Sequence, residues 1–135
     1  MIQLMYKSVA QGDMPNGEVY KIVEKSARNN AANELTGFLL YSDGMFFQAI
    51  EGPESAITNL MQRLSRDPRH HSIEIVHQRQ IAARDFANWR MKRLSPLPDD
   101  PTDKTLHQQL ADMPAPIKHA VARFLASKTR SNTAQ

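Results

Sequence analysis

Met45-Phe46-Phe47-Gln48-Ala49-Ile50-Glu51-Gly52 is the stretch that decides the fold of this chain. It directly follows Asp43-Gly44, a dipeptide typical of a type I′ turn between two antiparallel strands. Gly37–Tyr41 and Met45–Glu51 are therefore predicted to form a β-hairpin. Side chains alternate between the two faces of a strand, and both faces of the second strand are apolar. Such a strand is covered on both sides and lies in the centre of a sheet.

Gln48 is the anomaly in this strand. It shares a face with Phe46 and Ile50, and the opposite face carries only apolar side chains up to Ala49. A buried amide that lacks hydrogen-bond partners costs on the order of 1–3 kcal/mol. The hydrogen-bond partner of Gln48 is therefore expected to indicate the function.

Composition limits the classes of protein to consider. A chain of 135 residues fits one domain with a real core, and it contains no cysteine, which excludes disulfides and thiolate metal sites. No apolar run is long enough to span a bilayer and the N-terminus has no signal-peptide pattern, so a cytoplasmic location is expected. The net charge of +3 is compatible with an anionic ligand, although a mildly basic surface explains it better.

Periodicity predicts the remaining elements. An alternating first strand, Ile2–Ser8, precedes a helix over Glu18–Asn30 whose apolar stripe ends at Asn30. The hairpin comes next, followed by a helix over Glu54–Arg66 with Pro53 at its first position. Two further strands are predicted over Ile73–Gln78 and Trp89–Leu94. Two short helices are predicted over Thr102–Ala111 and Ala115–Ser127.

The predicted order βαββαββ, followed by two helices, indicates an α+β fold of the ferredoxin-like kind with a five-stranded mixed sheet. Right-handed crossovers should place the first and third strands side by side and parallel, with both crossover helices on one face. Tyr6 and Gln48 then face these helices and can meet under Asn30. The two C-terminal helices are expected to cover the other face of the sheet.

Tyr6, Asn30 and Gln48 would form a polar group inside an apolar pocket. A phenol and two amides can satisfy one another, and for any one of these residues alone that explanation is favoured. Three inward polar positions together favour a ligand, because small-molecule sites are mostly apolar with a few placed polar groups. Amides suit a flat heterocycle, since each offers a donor and an acceptor side by side.

A charged cluster lies at the end of the second helix. It comprises Arg63, Arg66, Asp67, Arg69, His70 and His71. A solvated turn explains this cluster by itself, but next to a pocket the same side chains can hold a phosphate and a sugar-like chain. The sequence shows no convincing metal-ligand spacing, no Ser-His-Asp arrangement and no glycine-rich phosphate loop.

At these residues the sequence closely resembles the BLUF family, the blue-light sensors that use FAD. The resemblance covers about residues 1–95 and rests on several spaced blocks in the right order. These blocks are Tyr6 and Ser8; Asn29-Asn30 and Leu35-Thr36-Gly37; Tyr41 to Gln48 with Glu51-Gly52; Arg66-Asp67 and Arg69-His70; and Phe86, Trp89 and Met91. The family fold holds the flavin between the two crossover helices of a ferredoxin-like sheet.

The resemblance implies a non-covalently bound flavin, FAD with FMN or riboflavin tolerated. It implies that Tyr6 is the photochemical donor of an electron and a proton. Gln48 is then the amide that switches its hydrogen bonds between Tyr6 and the flavin. Asn30 would bind the polar edge of the pyrimidine ring, and Asn29 would line the pocket. The candidates for the ribityl and phosphate end are Arg63, Asp67, Arg69 and His70.

By the same resemblance, Trp89 and Met91 are the pair associated with signal exit through the fifth strand, where the alternation places both on one face. The expected regions are a photosensor core at 1–95, a C-terminal helical cap at 96–128 and a disordered tail at 129–135. Because no output domain follows the sensor, the signal is expected to pass to a separate, unidentified downstream protein, with a homodimer or higher homo-oligomer as the assembly.

Two other functions are compatible with a ferredoxin-like sheet. An RNA-binding module would need aromatic residues on the open face, but Tyr6 shares its face with Ile2 and Leu4, and the third strand lacks the RNP1 pattern. A small enzyme of the acylphosphatase type would need an arginine in the loop after the first strand, and Val9–Gly17 has none. The chain is therefore expected to be a sensor and not an enzyme, without nucleic acid or membrane as a partner.

Overall fold

A computed structural model describes residues 1–10, 12, 16–94 and 106–133. The chain divides into two compact units, Met1–Leu94 and Ser95–Gln135. The described elements of the first unit are β1 (Ile2–Ala10), α1 (Asn16–Ala32), β2 (Thr36–Ser42), β3 (Met45–Gly52), α2 (Glu54–Ser65), β4 (His70–Gln80) and β5 (Lys92–Leu94). Those of the second unit are α3 (Leu106–Gln109) and α4 (Ala115–Thr133).

The strands form one five-stranded sheet in the order β4-β1-β3-β2-β5, which confirms the ferredoxin-like fold. The predicted parallel pairing of β1 with β3 was wrong, because these strands are antiparallel. β3 returns from the hairpin against β2 and therefore also runs opposite to β1. The strands joined by the first crossover, β1 and β2, are parallel with β3 between them. β2 and β5 are parallel neighbours, so the sheet is mixed.

The hairpin between β2 and β3 has the predicted turn. Asp43 and Gly44 both have positive φ angles, 49° and 80°, as a type I′ turn requires. Ser42 pairs with Met45 across this turn, which sets the register of the whole hairpin. β3 is buried from Phe46 to Gly52, so the prediction of a central strand covered on both sides is confirmed.

Both crossover helices pack on the same face of the sheet. Ile22 and Val23 of α1 and Leu60 of α2 contact a buried cluster that includes Tyr6 and Ile50. Apolar residues three or four apart, such as Val23 and Ala27 in α1 or Ile57 and Leu60 in α2, give each helix one apolar stripe that faces the strands. The predicted arrangement of these two helices is confirmed.

Several boundaries differ from the prediction. Pro53 is the N-cap of α2 and not its first residue, since its ψ of 138° is extended. β5 begins only at Lys92, which leaves Trp89 and Met91 in irregular chain ahead of the strand. α4 extends to Thr133, so residues 129–133, predicted as disordered, are helical. Of the predicted helix Thr102–Ala111, residues 102–105 lie outside the described residues.

Candidate functional site

Tyr6 and Gln48 are the polar centre of the site. They pair directly across β1 and β3, and both side chains point to the helix-covered face. The Tyr6 hydroxyl donates a hydrogen bond to Gln48 Oε1. The Gln48 amide nitrogen lies 3.9 Å from the sulfur of Met91. A thioether is a weak acceptor, so this amide nitrogen keeps most of its capacity to donate to another group.

The phenol of Tyr6 is protonated at neutral pH. Burial raises its pKa far above the ordinary value of 10, and the negative charge of Asp67 raises the pKa further. Tyr6 is therefore a hydrogen-bond donor to Gln48 throughout the neutral pH range.

Two adjoining cavities open beside this pair, between α1, α2 and the sheet. The inner cavity, of about 50 Å³, is lined by Tyr6 and Gln48 together with Leu39, Phe46 and His70. The outer cavity, of about 440 Å³, reaches the charged cluster at the end of α2. The two cavities share the lining side chains Ile22, Ser26, Leu64, Asp67 and Arg69. Small-molecule sites have this size and this mixture of apolar walls with a few polar groups.

Asp67 and Arg69 form an ion pair where the two cavities meet. The Arg69 guanidinium donates to both carboxylate oxygens, with its closest contact at 2.6 Å, and the Arg69 backbone N–H donates at 3.0 Å. The side-chain bonds from Arg69 lower the pKa of Asp67 to about 2, and the same contact raises the pKa of Arg69. Both groups therefore stay charged at neutral pH.

His70 lines the inner cavity. Its Nδ1 shares a 2.8 Å hydrogen bond with the Ser8 hydroxyl, and its ring packs against Tyr6 and Phe46. Nε2 is buried and has no hydrogen-bond partner of good geometry among the described residues, and the ring interacts with the Leu64 backbone. Burial lowers the pKa of His70, so the ring is held neutral. An unpaired buried nitrogen costs about 1–3 kcal/mol, which favours a bound group that pairs with it.

The other predicted binding residues fall into two places. Asn29 and Arg63 line the outer cavity, as does Lys25, which the sequence analysis did not single out. Asn30 is fully buried, and its amide nitrogen donates to the carbonyl oxygen of Arg90 at 2.6 Å. The structure thus brings Asn30 against the chain that precedes β5, a contact that no spacing in the sequence reveals.

The prediction that Trp89 and Met91 share a face was wrong. Met91 is 7% exposed and packs in the cluster of Tyr6 and Gln48. The Trp89 ring instead contacts Phe38 and Phe86, on the far face of the sheet. Strand alternation does not apply to these residues, because they precede β5.

The sequence analysis also missed residues on the far face. Glu51 and Gln3 are fully buried there and belong to a hydrogen-bonded cluster that includes Asp85. The sequence does indicate that Glu51 is buried, since the alternation of β3 places it on the same apolar face as Phe47 and Ala49. A carboxylate at such a position needs partners as much as Gln48 does.

Two kinds of function receive no support within the described ranges. The side chains there include no group of three or more histidine, cysteine, aspartate or glutamate residues arranged to hold a metal ion. Among the helices of those same residues, none combines the length and the hydropathy that crossing a bilayer requires.

Comparison with known proteins gives a consistent result. The family model BLUF, sensors of blue-light using FAD, matches residues 1–92. Photoactivated adenylate cyclase subunit beta of Euglena longa is 37% identical over 89 residues, which are 65% of this chain and 10% of that protein. This chain therefore spans about a tenth of the length of that relative.

Solved structures share the fold along most of the chain. BlrB, a BLUF protein in its dark state, superposes with a TM-score of 0.70 at 32% identity, over 94% of this chain and 96% of that chain. A bacterial light-regulated adenylyl cyclase superposes with a TM-score of 0.72 at 29% identity, over 98% of this chain and 36% of the cyclase.

Proposed function

The chain belongs to the BLUF family, the sensors of blue light using FAD, and we propose that it responds to light through Tyr6 and Gln48. The observation that supports this proposal best is the hydrogen bond from the Tyr6 hydroxyl to Gln48 Oε1 at the wall of the inner cavity. The bond joins a protonated phenol to an amide whose nitrogen, among the described residues, has a thioether as its hydrogen-bond acceptor. Such an amide can change its hydrogen-bond partners without any change in the fold.

The lining residues fit a flavin in two respects. His70 and Gln48 both line the inner cavity, where the polar edge of a flat ring needs donors and acceptors. Lys25 and Arg63 line the outer cavity, where they can bind phosphate oxygens. Asn29, Asp67 and Arg69 would line the ribityl and phosphate end, and Asn30 would bind the pyrimidine edge.

When bound, the flavin absorbs blue light and becomes a strong oxidant in its excited state. Tyr6 would give one electron and its phenolic proton to the bound flavin; in the dark its raised pKa keeps that proton on the phenol. The electron and the proton would afterwards return from the flavin to Tyr6, and no covalent bond would form. The lasting change is the hydrogen bonding of Gln48, whose amide rearranges between Tyr6 and the ligand.

The output of this switch would reach another protein or domain. Met91 contacts the Gln48 amide and is followed directly by β5, so a rearranged amide alters the packing at the start of that strand. We infer that the signal leaves along this route and that Trp89, on the far face, reports the same movement there. Two of the matched proteins are named as light-regulated cyclases, so in those proteins a cyclase is the effector. For this chain we propose an effector protein or domain whose activity is undefined.

The test compares two tyrosine variants. Tyr6→Phe should retain flavin and lose the light-induced red shift of its absorption spectrum, because only the hydroxyl that donates to Gln48 is removed. Tyr41→Phe is the matched control, since Tyr41 lies on the same face and its ring centroid is 4.9 Å from that of Phe46. Gln48→Leu should behave like Tyr6→Phe. A normal photocycle in Tyr6→Phe, or its equal loss in Tyr41→Phe, would contradict the assignment.

A further inference from the structure

A buried carboxylate organises the far face of the sheet. Glu51, on β3, is fully buried, and four donors surround its two oxygens. Oε1 accepts from the Thr36 hydroxyl at 3.1 Å and the Phe86 backbone N–H at 2.7 Å. Oε2 accepts from the Gln3 amide at 3.2 Å and the Asp85 backbone N–H at 3.0 Å. Four donors and no acceptor suit an ionised carboxylate, which only accepts.

Two of these donors belong to the chain between β4 and β5, and neighbouring side chains add further bonds. The Arg84 guanidinium donates to the Thr36 hydroxyl at 2.9 Å, the Glu51 carbonyl at 3.0 Å and the Glu34 carbonyl at 2.6 Å. The Asp85 carboxylate accepts from Gln3 and from Arg79. Residues 84–91, called the bracing segment here, are therefore fixed to the sheet at their first three positions.

The other end of the bracing segment reaches Gln48. The Trp89 carbonyl accepts from the Gly37 N–H at 2.7 Å, and the Arg90 carbonyl accepts from the Asn30 amide at 2.6 Å. The next residue, Met91, contacts the Gln48 amide. The bracing segment thus begins on Glu51, on the far face, and ends on Gln48, three residues earlier in the same strand but on the opposite face.

We propose that Glu51 is a positioning residue for the switch: it fixes the bracing segment and thereby the position of Met91 against the Gln48 amide. This inference rests on the proposed function of Tyr6 and Gln48. Burying a carboxylate is costly, and a well-packed apolar side chain serves stability as well or better. The geometry gives the carboxylate a different use, because only an acceptor with two oxygens binds two successive backbone N–H groups and two side chains at once.

Glu51→Gln is the sharpest perturbation because it keeps the shape of the side chain. The amide nitrogen of the glutamine replaces one of the two carboxylate oxygens, and it then faces two groups that donate to that oxygen in the parent protein. The Thr36 hydroxyl can turn to accept, and the Gln3 amide can do so only by losing its bonds to Asp85 and Arg79. The backbone N–H groups of Asp85 and Phe86 cannot turn at all. The bracing segment therefore loses at least one anchor, Met91 is held less tightly, and the Gln48 amide turns in a less confined space.

The experiment compares Glu51→Gln with Met5→Val in the full chain. Met5 is fully buried on the same far face and pairs with Ala49 and His77, so its substitution tests loss of packing alone. Glu51→Gln should keep its flavin and its red shift, lose hydrogen-exchange protection at residues 85–91, and recover in the dark about tenfold faster, a barrier change of about 1.4 kcal/mol. Met5→Val should recover within about twofold of the parent protein.

A Glu51→Gln protein that recovers within about twofold of the parent protein would overturn the proposal, as would equal acceleration in Met5→Val. If Glu51→Gln does not fold, Asp85→Asn weakens the same segment while Glu51 stays in place. It should recover about threefold faster, and recovery within about twofold would again overturn the proposal.

Exchange protection in unlit protein is measured without any photocycle. A parent protein that shows no red shift would therefore refute the function of Tyr6 and Gln48, separately from the anchoring by Glu51.

Discussion

Replacing Gly37 with alanine is expected to disrupt the centre of the sheet. Gly37 on β2 pairs with Ile50 on β3, and a Cβ at this position would lie 2.0 Å from the Ala49 carbonyl oxygen and 3.1 Å from the Ile50 Cα. Both are backbone atoms of the neighbouring strand, so no side-chain rotation relieves the overlap. Cβ contacts below 3.0 Å essentially do not occur in proteins, so β2 must move away from β3 by about 1 Å.

The size of the effect follows from this displacement. A movement of that size lengthens ladder bonds of about 2.9 Å beyond hydrogen-bond range. Each bond contributes about 0.5–1.5 kcal/mol net, so the loss of two or three around Gly37 lowers the free energy of unfolding by about 3 kcal/mol. A domain of this size is stable by only about 5–15 kcal/mol. The same movement disturbs the Gly37 N–H bond to the Trp89 carbonyl, and with it the bracing segment.

Urea unfolding followed by far-ultraviolet circular dichroism measures this loss, and Gly17→Ala is the matched control. Gly17 lies in the first turn of α1, and a Cβ there would meet nothing within 4 Å. Alanine should therefore stabilise the protein at position 17 by about 0.5–1 kcal/mol. The same substitution thus has opposite signs at the two sites. A Gly37→Ala protein within about 1 kcal/mol of the parent protein would refute the register of the β2–β3 hairpin.

Three further predictions concern the site. Stability should fall on acidification in two stages. Burial lowers the pKa of His70, so its contribution is present above the ordinary value of 6.5 and is lost below it. The Asp67 contribution is present above 3.8 and is lost as the pH falls towards about 2. His70→Gln should flatten the first stage and Asp67→Asn the second in thermal unfolding across pH, and unaltered profiles would count against these assignments. Arg63→Gln should weaken FAD binding about fivefold and leave riboflavin, which has no phosphate, unaffected. Arg66→Gln is the control, and equal loss of both ligands in titrations would show that the phosphate end lies elsewhere. Illumination should change hydrogen exchange at residues 89–94, because Met91 contacts the Gln48 amide, and identical exchange in dark and light would exclude this route for the signal.

The sequence predicted the elements with strong periodicity and the face on which the central pair lies. The Asp43-Gly44 turn and the alternation through Met45–Gly52 were sufficient to place Gln48 inward, because a strand has only two faces. Tyr6 followed from the same alternation in β1. The predicted direction of β3 relative to β1 was wrong. The hairpin requires β3 to be antiparallel to β2, and the first crossover requires β2 to be parallel to β1, so the correct direction followed from the predicted topology itself.

The parts that the sequence did not predict share a physical cause, which is the absence of periodicity. Residues 84–91 form neither strand nor helix, so no repeat relates the direction of one side chain to the next. Their positions are set by contacts with residues distant in sequence, such as the bonds of Glu51 to Asp85 and Phe86. The opposite placement of Trp89 and Met91 is the result, and a pattern-based argument has no means of finding it.

The two buried polar residues of β3 explain how one strand can serve both faces of the sheet. Gln48 has one strong and one weak partner, so its hydrogen bonds can rearrange at small cost. Glu51 has four donors, so a rearrangement there would leave at least one buried group unpaired. A switch needs a movable member and a fixed reference against which its movement is transmitted. If both proposals hold, a change at Gln48 would move Met91 relative to a segment that Glu51 fixes at its other end.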